Sequence, residues 1–108
     1  MARTIRLQGR MNGDISMNLW ATIDDEGNLL IEGQDLGPVD EDGDMNEYEW
    51  VTMVAAELLP RVLELLGGAP GDDLLDLIER DWVPKEGAGL ERMIRDSGIP
   101  YDLETWRR

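Results

Sequence analysis

The amino-acid sequence predicts an α+β fold, because two different periodicities follow one another along the chain. In the first half, apolar and polar residues alternate at every second position, as in half-buried β-strands. From Ala55 onward, apolar residues recur at intervals of three and four, which indicates amphipathic helices. Strands grouped before helices favour an antiparallel sheet with helices on one face. We therefore expect a four-stranded antiparallel meander packed against about three helices.

Alternation of apolar and polar side chains locates the strands. The clearest run is residues 15–23, where the alternation holds over nine positions. Residues 24–28, Asp-Asp-Glu-Gly-Asn, are typical of a turn between two strands. The stretch from residue 34 to residue 46 is polar and contains Gly37-Pro38, so we expect a loop there. The other predicted strands are residues 4–8, 29–33 and 47–53.

The helices are predicted from apolar stripes and from residues that begin or end a helix. A leucine-rich stripe after Ala55 ends at Gly67-Gly68, and Pro60 must lie in the first turn, where a missing N–H costs little. A second helix begins near Asp73, because carboxylates are favoured at helix N-termini. It ends at Pro84, and a short third helix ends at Gly98. Residues 99–106 are a candidate fifth strand at the sheet edge.

The chain length fits one domain, residues 1–108, with no repeat or linker. It divides into a strand-rich part, residues 1–53, a helical part, residues 55–98, and a C-terminal tail or edge strand, residues 99–108. The first residues lack the apolar run of a signal peptide, and no stretch has the roughly 18 apolar residues of a membrane span. We therefore expect a cytoplasmic protein without a membrane partner.

Charge is distributed unevenly along the chain. Residues 11–79 carry 18 acidic side chains and one basic one, Arg61, whereas residues 1–10 contribute three arginines. The last 29 residues carry six acids and six bases, and the net charge of the whole chain is −14. A surface this acidic repels phosphates, so direct nucleic-acid binding is not expected. Acidity of the whole proteome is an equally good explanation, since charge alone does not name a function.

Several kinds of chemistry are excluded by composition. The chain has no cysteine, hence no disulfide, thiolate metal site or cysteine nucleophile. It has no histidine, so Ser16 and Ser97 lack the usual activating base. The glycines at 67, 68 and 71 lack the Lys-Ser/Thr of a phosphate-binding loop. We expect no enzymatic activity, no catalytic residues and no cofactor.

Several short segments resemble one family of proteins. They are residues 31–38 (IEGQDLGP), 47–50 (EYEW), the leucine-rich helix ending at residues 65–68 (LLGG), and 97–101 (SGIPY). Together they resemble a family of short, uncharacterised acidic proteins of high-GC Gram-positive bacteria, over roughly residues 15–106. The resemblance implies an α+β fold and a bacterial or phage setting. It implies no activity and no site residues.

Residues 40–47, which we call the acidic loop, carry oxygen-bearing side chains at alternate positions. Ca²⁺ needs oxygen ligands in such an arrangement. These weak calcium candidates depart from an EF-hand, because Gly43 is fourth in the loop instead of sixth and Val51 stands where Glu is needed. We expect a solvated acidic loop and no specific metal site. The alternative is a calcium- or ligand-responsive module that uses residues 34–47. The candidate ligands are Asp40, Asp42, Asp44 and Asn46.

The favoured hypothesis is a small acidic module that binds a basic protein, as an inhibitor or immunity-type protein does. Complementary charge accelerates encounter, and a few aromatic side chains supply affinity. Trp20 lies on the polar phase of its strand and is the candidate anchor, whereas Trp82 and one of Trp20 and Trp50 are expected in the core. A DNA-mimic anti-defence protein is the sharper alternative. The candidate partner-binding residues are Trp20, Asp40, Glu41, Asp42, Asp44 and Glu47.

Overall fold

The computed structural model describes residues 2–12, 15–39 and 45–107. It is an α+β protein whose five strands form one antiparallel sheet in the order β1-β2-β3-β4-β5, as the sequence predicts. The candidate edge strand is the fifth strand, beside β4. The strands are β1 (Arg3–Asn12), β2 (Ile15–Ile23), β3 (Leu29–Val39), β4 (Met45–Val54) and β5 (Asp102–Arg107). The helices are α1 (Leu59–Leu65), α2 (Leu74–Trp82) and α3 (Leu90–Asp96), with 3₁₀ turns at Ala56–Leu58 and Val83–Lys85.

The turn between β2 and β3 is held by one carboxylate. Asp24 Oδ1 accepts hydrogen bonds from the backbone N–H groups of Glu26 and Asn28, each 2.9 Å long. Gly27 takes a φ of +85°, which a residue with a Cβ rarely adopts. Asn28 Oδ1 in turn accepts from the N–H of Ala56 at 2.9 Å. The turn between β2 and β3 is therefore tied directly to the start of the helical half.

The predicted loop from residue 34 to residue 46 is wrong at both ends. β3 continues to Val39 and β4 begins at Met45, so these strands pair well beyond the predicted boundaries. Pro38 is tolerated because the register shifts between Leu36 and Val39. A proline without an N–H can lie in a strand where the ladder is already interrupted.

All three helices lie on one face of the sheet. Alternate strand positions point into this face, and Leu29, Ile31 and Val54 are fully buried there. Trp82 is buried on α2 and Trp50 packs against the core from β4, which confirms the core prediction for these two indoles. The buried residues that form the core are Ile5, Leu7, Leu19, Ala21, Leu29, Ile31, Val54, Val62, Leu63, Leu74, Leu75, Leu77, Ile78, Trp82, Leu90, Ile94 and Ile99.

Helix α2 is capped and also tied to the first strand. Asp73 is its N-cap, and the carboxylate accepts a hydrogen bond of 2.9 Å from the N–H of Asp76. Arg3 of β1 bonds Asp73 at 3.1 Å and Asp76 at 2.6 Å. The hydrogen bond to Asp76 is the main cause that raises the pKa of Arg3 above its ordinary value. Arg80 pairs with Asp81, which lowers the pKa of that carboxyl, and not with Asp76 four residues earlier.

Helix α3 is docked on the sheet by a polar cluster built around Glu91. Its carboxylate accepts from Trp50 Nε1 at 3.0 Å and from Thr52 Oγ1 at 2.8 Å. Arg95, one turn later, donates to Glu91 at 2.7 Å and to Thr52 Oγ1 at 2.8 Å. The indole of Trp50 lies directly over Gly33, its partner on β3. Gly33 therefore leaves the space in which Trp50 reaches α3.

We expect Gly33→Ala to lower the free energy of unfolding by about 1–3 kcal/mol, because a Cβ at this position would overlap the indole of Trp50. The matched control is Gly9→Ala on β1, where the three atoms nearest to an added Cβ all belong to the guanidinium of Arg6, the far end of an exposed, flexible side chain. Urea unfolding at neutral pH measures both. Equal losses for the two variants would contradict the close packing of Trp50 on Gly33.

We expect Glu91→Ala to cost roughly 1–3 kcal/mol, because it removes the acceptor of three donors at a partly buried site. Asp96→Ala is the control on the same helix. It breaks an exposed i,i+4 pair with Arg92, 3.6 Å long, and should cost less than about 0.5 kcal/mol. Both changes are read by urea unfolding. A similar cost for both would show that the cluster does not dock α3.

Candidate protein interface

The sheet face opposite the helices is not covered by any element that the structure describes, and we call it the open face. It carries the strand positions that alternate with the core positions. A groove of about 640 Å³ lies along it. The groove is lined by Trp20, Leu30, Glu32, Gly33, Gln34, Glu49, Trp50, Val51, Met53, Asp102, Leu103, Glu104 and Trp106.

Two indoles stand at the sides of this groove. Trp20 lies on β2 and Trp106 on β5, so three strand spacings of about 4.8 Å separate their strands, roughly 14 Å in all. The strands between them, β3 and β4, form the floor. An α-helix with its side chains is about 10–12 Å across. The backbone spacing of the two strands is therefore comparable to the diameter of one α-helix.

The floor changes character along the strands. Leu30 and Met53 are paired neighbours and make one end apolar. Four residues further along β3, Gln34 pairs with Glu49, so that end is polar. Val51 lies between the two ends, opposite Glu32. An occupant that matches this floor has an apolar part and a cationic or hydrogen-bonding part.

The acidic side chains of the open face come from three neighbouring strands. Gln34 Nε2 donates to Glu47 at 2.9 Å and to Glu49 at 3.1 Å, which holds two carboxylates around one amide. Trp106 Nε1 also donates to Glu49. The donors are neutral amide and indole N–H groups, and they orient the carboxylates of Glu47 and Glu49. The acidic residues of the open face are Glu32 on β3, Glu47 and Glu49 on β4, and Asp102 and Glu104 on β5.

Three carboxylates of the open face are not paired with a basic side chain in the described ranges. No salt bridge there involves Glu32, Asp102 or Glu104. Arg6 belongs to the row of Trp20 and Glu32; its guanidinium bonds the neutral Asn18 Oδ1 at 2.5 Å and lies over Gly9, so it places one positive charge at the β1 side of this face. The open face therefore combines apolar side chains with negative charge.

A second, larger groove of about 910 Å³ lies between α1 and α2, on the helical side. Its lining includes Leu59, Leu63 and Leu74 and no aromatic side chain. The basic residue at this groove, Arg3, is already paired with Asp73 and Asp76. This groove thus offers neither an indole nor a basic side chain that lacks an acidic partner. The open face is therefore the stronger candidate for recognition.

The predicted site residues are only partly brought together. Trp20 is half-buried on the open face, and Glu47 lies on the same face with its carboxylate bonded to Gln34. Val51, in the row of Trp20, is six residues from Met45, where β4 begins, a distance of about 20 Å along the strand. The row of Trp20 is therefore about 20 Å along the sheet from the first residue of β4, and the anchor role of Trp20 stays a prediction.

The loop acids fall outside the described residues, so their predicted steering role stays a prediction. The same holds for the calcium candidates: the structure describes only the backbone of Asn46, in β4. Within the described ranges, no group of three or more acidic side chains is placed to hold a metal ion. The predictions concerned are those on Asp40, Glu41, Asp42 and Asp44.

The sequence reasoning missed most of the open face. Alternation within each strand places Glu32 and Glu49 away from the core, but it does not join them with Val51, Met53 and Trp106 into one surface. The signal was present in the alternation of each strand. To assemble residues of separate strands into one surface, the pairing register of the strands must be known. It must also be known that the helices cover only one face of the sheet.

No described helix is long and apolar enough to cross a membrane. Comparison of the chain with family models, with curated proteins and with solved structures yields no match.

Ionic quenching of tryptophan fluorescence tests the negative potential of the open face. We expect Cs⁺ to quench Trp106, which is 40% exposed, more efficiently than I⁻ does, because the surrounding carboxylates concentrate cations and exclude anions. The fluorescence of Trp106 is obtained by subtracting the emission of the Trp106→Phe variant from that of the natural chain. Efficiencies are normalised to free N-acetyltryptophanamide at equal ionic strength.

Trp82 supplies an internal control for this measurement. It is buried, and Lys85 Nζ lies 5.1 Å from its ring centroid. The emission of Trp82, obtained in the same way from the Trp82→Phe variant, should therefore be quenched little by Cs⁺. Equal normalised quenching of Trp106 by Cs⁺ and I⁻ would contradict a negative potential at the groove.

Proposed function

We propose that this protein is a small acidic binding module that covers a basic surface of another protein, in the manner of an inhibitor or immunity-type protein. The observation that carries the proposal is the open face, where Trp20 and Trp106 stand beside an apolar floor and carboxylates. Three of these carboxylates, Glu32, Asp102 and Glu104, form no salt bridge within the described residues. Aromatic side chains dominate the binding energy of interfaces, while charge sets the rate of encounter and excludes wrong partners. Both components lie on one surface of this protein.

The mixture of apolar and acidic side chains favours this function over the DNA-mimic alternative. A mimic of DNA presents closely and regularly spaced charge, about one per 1.7 Å of helix axis. On the open face, Leu30, Val51 and Met53 interrupt the carboxylates. A partner that matches the face therefore needs apolar side chains among its lysines and arginines, as a folded protein surface has.

Recognition on this surface follows from the groove's geometry. A cationic helix or hairpin that lies along the strands would place apolar residues over Leu30 and Met53. Its basic residues would then lie over Glu32 and Glu49. Trp20 and Trp106 would flank it, so their rings could pack on the aliphatic stems of lysine or arginine and interact with their charges. A total charge of −14 attracts such a partner from a distance set by the ionic strength.

The test is capture of a partner from the organism that encodes the chain, at low and at moderate salt, followed by measured binding of the retained protein. We expect Trp20→Ala and Trp106→Ala each to weaken binding about tenfold or more, the effect of removing an interface anchor. The double variant Glu32→Gln/Glu104→Gln should slow association and flatten its salt dependence. Surface plasmon resonance separates these effects.

Matched controls lie on the helical side. Leu65→Ala removes an exposed apolar side chain of α1, and Glu57→Gln/Glu64→Gln removes the same charge from exposed positions. These variants should bind the partner as the natural chain does. If the controls weaken binding as much as the open-face variants do, attraction is generic and the open face is not the interface.

A further inference from the structure

The outer edge of β5 is the second surface that could take part in recognition. In the described part of the chain, β5 pairs only with β4 and ends the sheet. Alternate residues of such a strand direct their backbone N–H and C=O groups outward. An edge of this kind can accept a strand from another molecule.

The opposite edge of the sheet, β1, is less able to accept an added strand. The register of β1 against β2 shifts between Arg6 and Gln8, and a bulge of this kind turns an edge away from regular pairing. The turn at Gly87 packs against Leu7, and Arg3 is tied to α2. β5 pairs with β4 over six consecutive positions without a register shift.

Exposed apolar side chains accompany the β5 edge on both faces of the sheet. Leu103 is 45% exposed and pairs with Thr52, so it lies on the helical side. Trp106 lies on the open face, and Tyr101, 40% exposed, immediately precedes the strand. A strand added beside β5 would cover part of each. Exposed apolar side chains at an unpaired edge are what strand addition buries.

The charges of β5 decide which strand fits. Asp102 and Glu104 point to the open face, and side chains directly opposite on a neighbouring strand lie about 4.5–5.5 Å away between Cβ atoms. Antiparallel pairing of two copies centred on Leu103 or Glu104 would place these acids against each other, and each copy carries −14. A second copy is therefore disfavoured, whereas a strand with basic side chains on the open-face side is favoured.

We propose that the edge of β5 accepts an extended basic segment of the partner as a sixth strand, with lysine or arginine at alternate positions beside Asp102 and Glu104 and apolar residues beside Leu103. This inference rests on the proposed function, since the added strand continues the open face. Backbone hydrogen bonds would supply affinity, and the alternation of basic and apolar residues would supply specificity.

The probe is a synthetic octapeptide of alternating lysine and valine, titrated into the 108-residue protein. We expect it to bind and to slow amide hydrogen exchange at alternate residues of β5. The same peptide with every backbone nitrogen methylated keeps the charges and side chains but has no backbone donors. It should bind at least about tenfold more weakly, because several hydrogen bonds are lost.

Two further probes separate strand addition from charge attraction and from self-association. A peptide with four lysines followed by four valines has the same composition without the alternation, and it should also bind more weakly. Amide exchange of the protein alone, at two concentrations, detects pairing between copies. Protection of β5 that rises with protein concentration, without peptide, would overturn the proposal in favour of a second copy.

Two outcomes overturn the edge proposal and leave the proposed function standing. One is equal affinity of the methylated and unmethylated peptides, without protection at β5, which would mean attraction to the open face alone. The other is no binding of the alternating peptide, while the captured partner still depends on Trp20 and Glu32. Loss of that dependence would overturn the proposed function itself.

Discussion

The arrangement of the molecule depends on the contact between Trp50, Gly33 and Glu91. Trp50 crosses the face of β3 at Gly33, which has no Cβ, and its N–H reaches the carboxylate of Glu91 on α3. A buried indole needs a hydrogen-bond acceptor, and Glu91 needs donors to lie this close to the sheet. The two requirements satisfy each other and help hold α3 on one face. The opposite face is consequently left to the side chains that alternate with Trp50, among them Glu49 and Val51.

Much of the fold follows from the sequence because its periodicities are strong. Alternation over nine residues in β2 and the helical spacing after Ala55 are each sufficient to assign an element. The far end of β3 could not be assigned in this way. Gly37 and Pro38 usually mark a loop, and only the register shift beside them allows the strand to continue. Local composition cannot reveal a shift that depends on the partner strand.

The candidate site was harder to predict than the fold, for a physical reason. Alternation within a strand shows which residues share a face, but not which face the helices cover. The most conspicuous acidic run, from residue 40 to residue 44, drew attention to a loop. Glu32, Glu49 and Glu104 are scattered in sequence and meet only through the pairing of β3, β4 and β5. A surface assembled from three strands has no contiguous signature.

Asp73 has a consequence for how the molecule opens. The same carboxylate caps α2 and binds Arg3 of β1, so the helix start and the start of the first strand share one group. If Asp73 moves away, both the N–H of Asp76 and the guanidinium of Arg3 lose this shared acceptor. The first turn of α2 and the beginning of β1 should therefore belong to one cooperative unit of local unfolding, although 70 residues separate them in the chain. The two chain ends consequently differ: the N-terminal strand is anchored to the helical layer, and β5 is held by its pairing with β4.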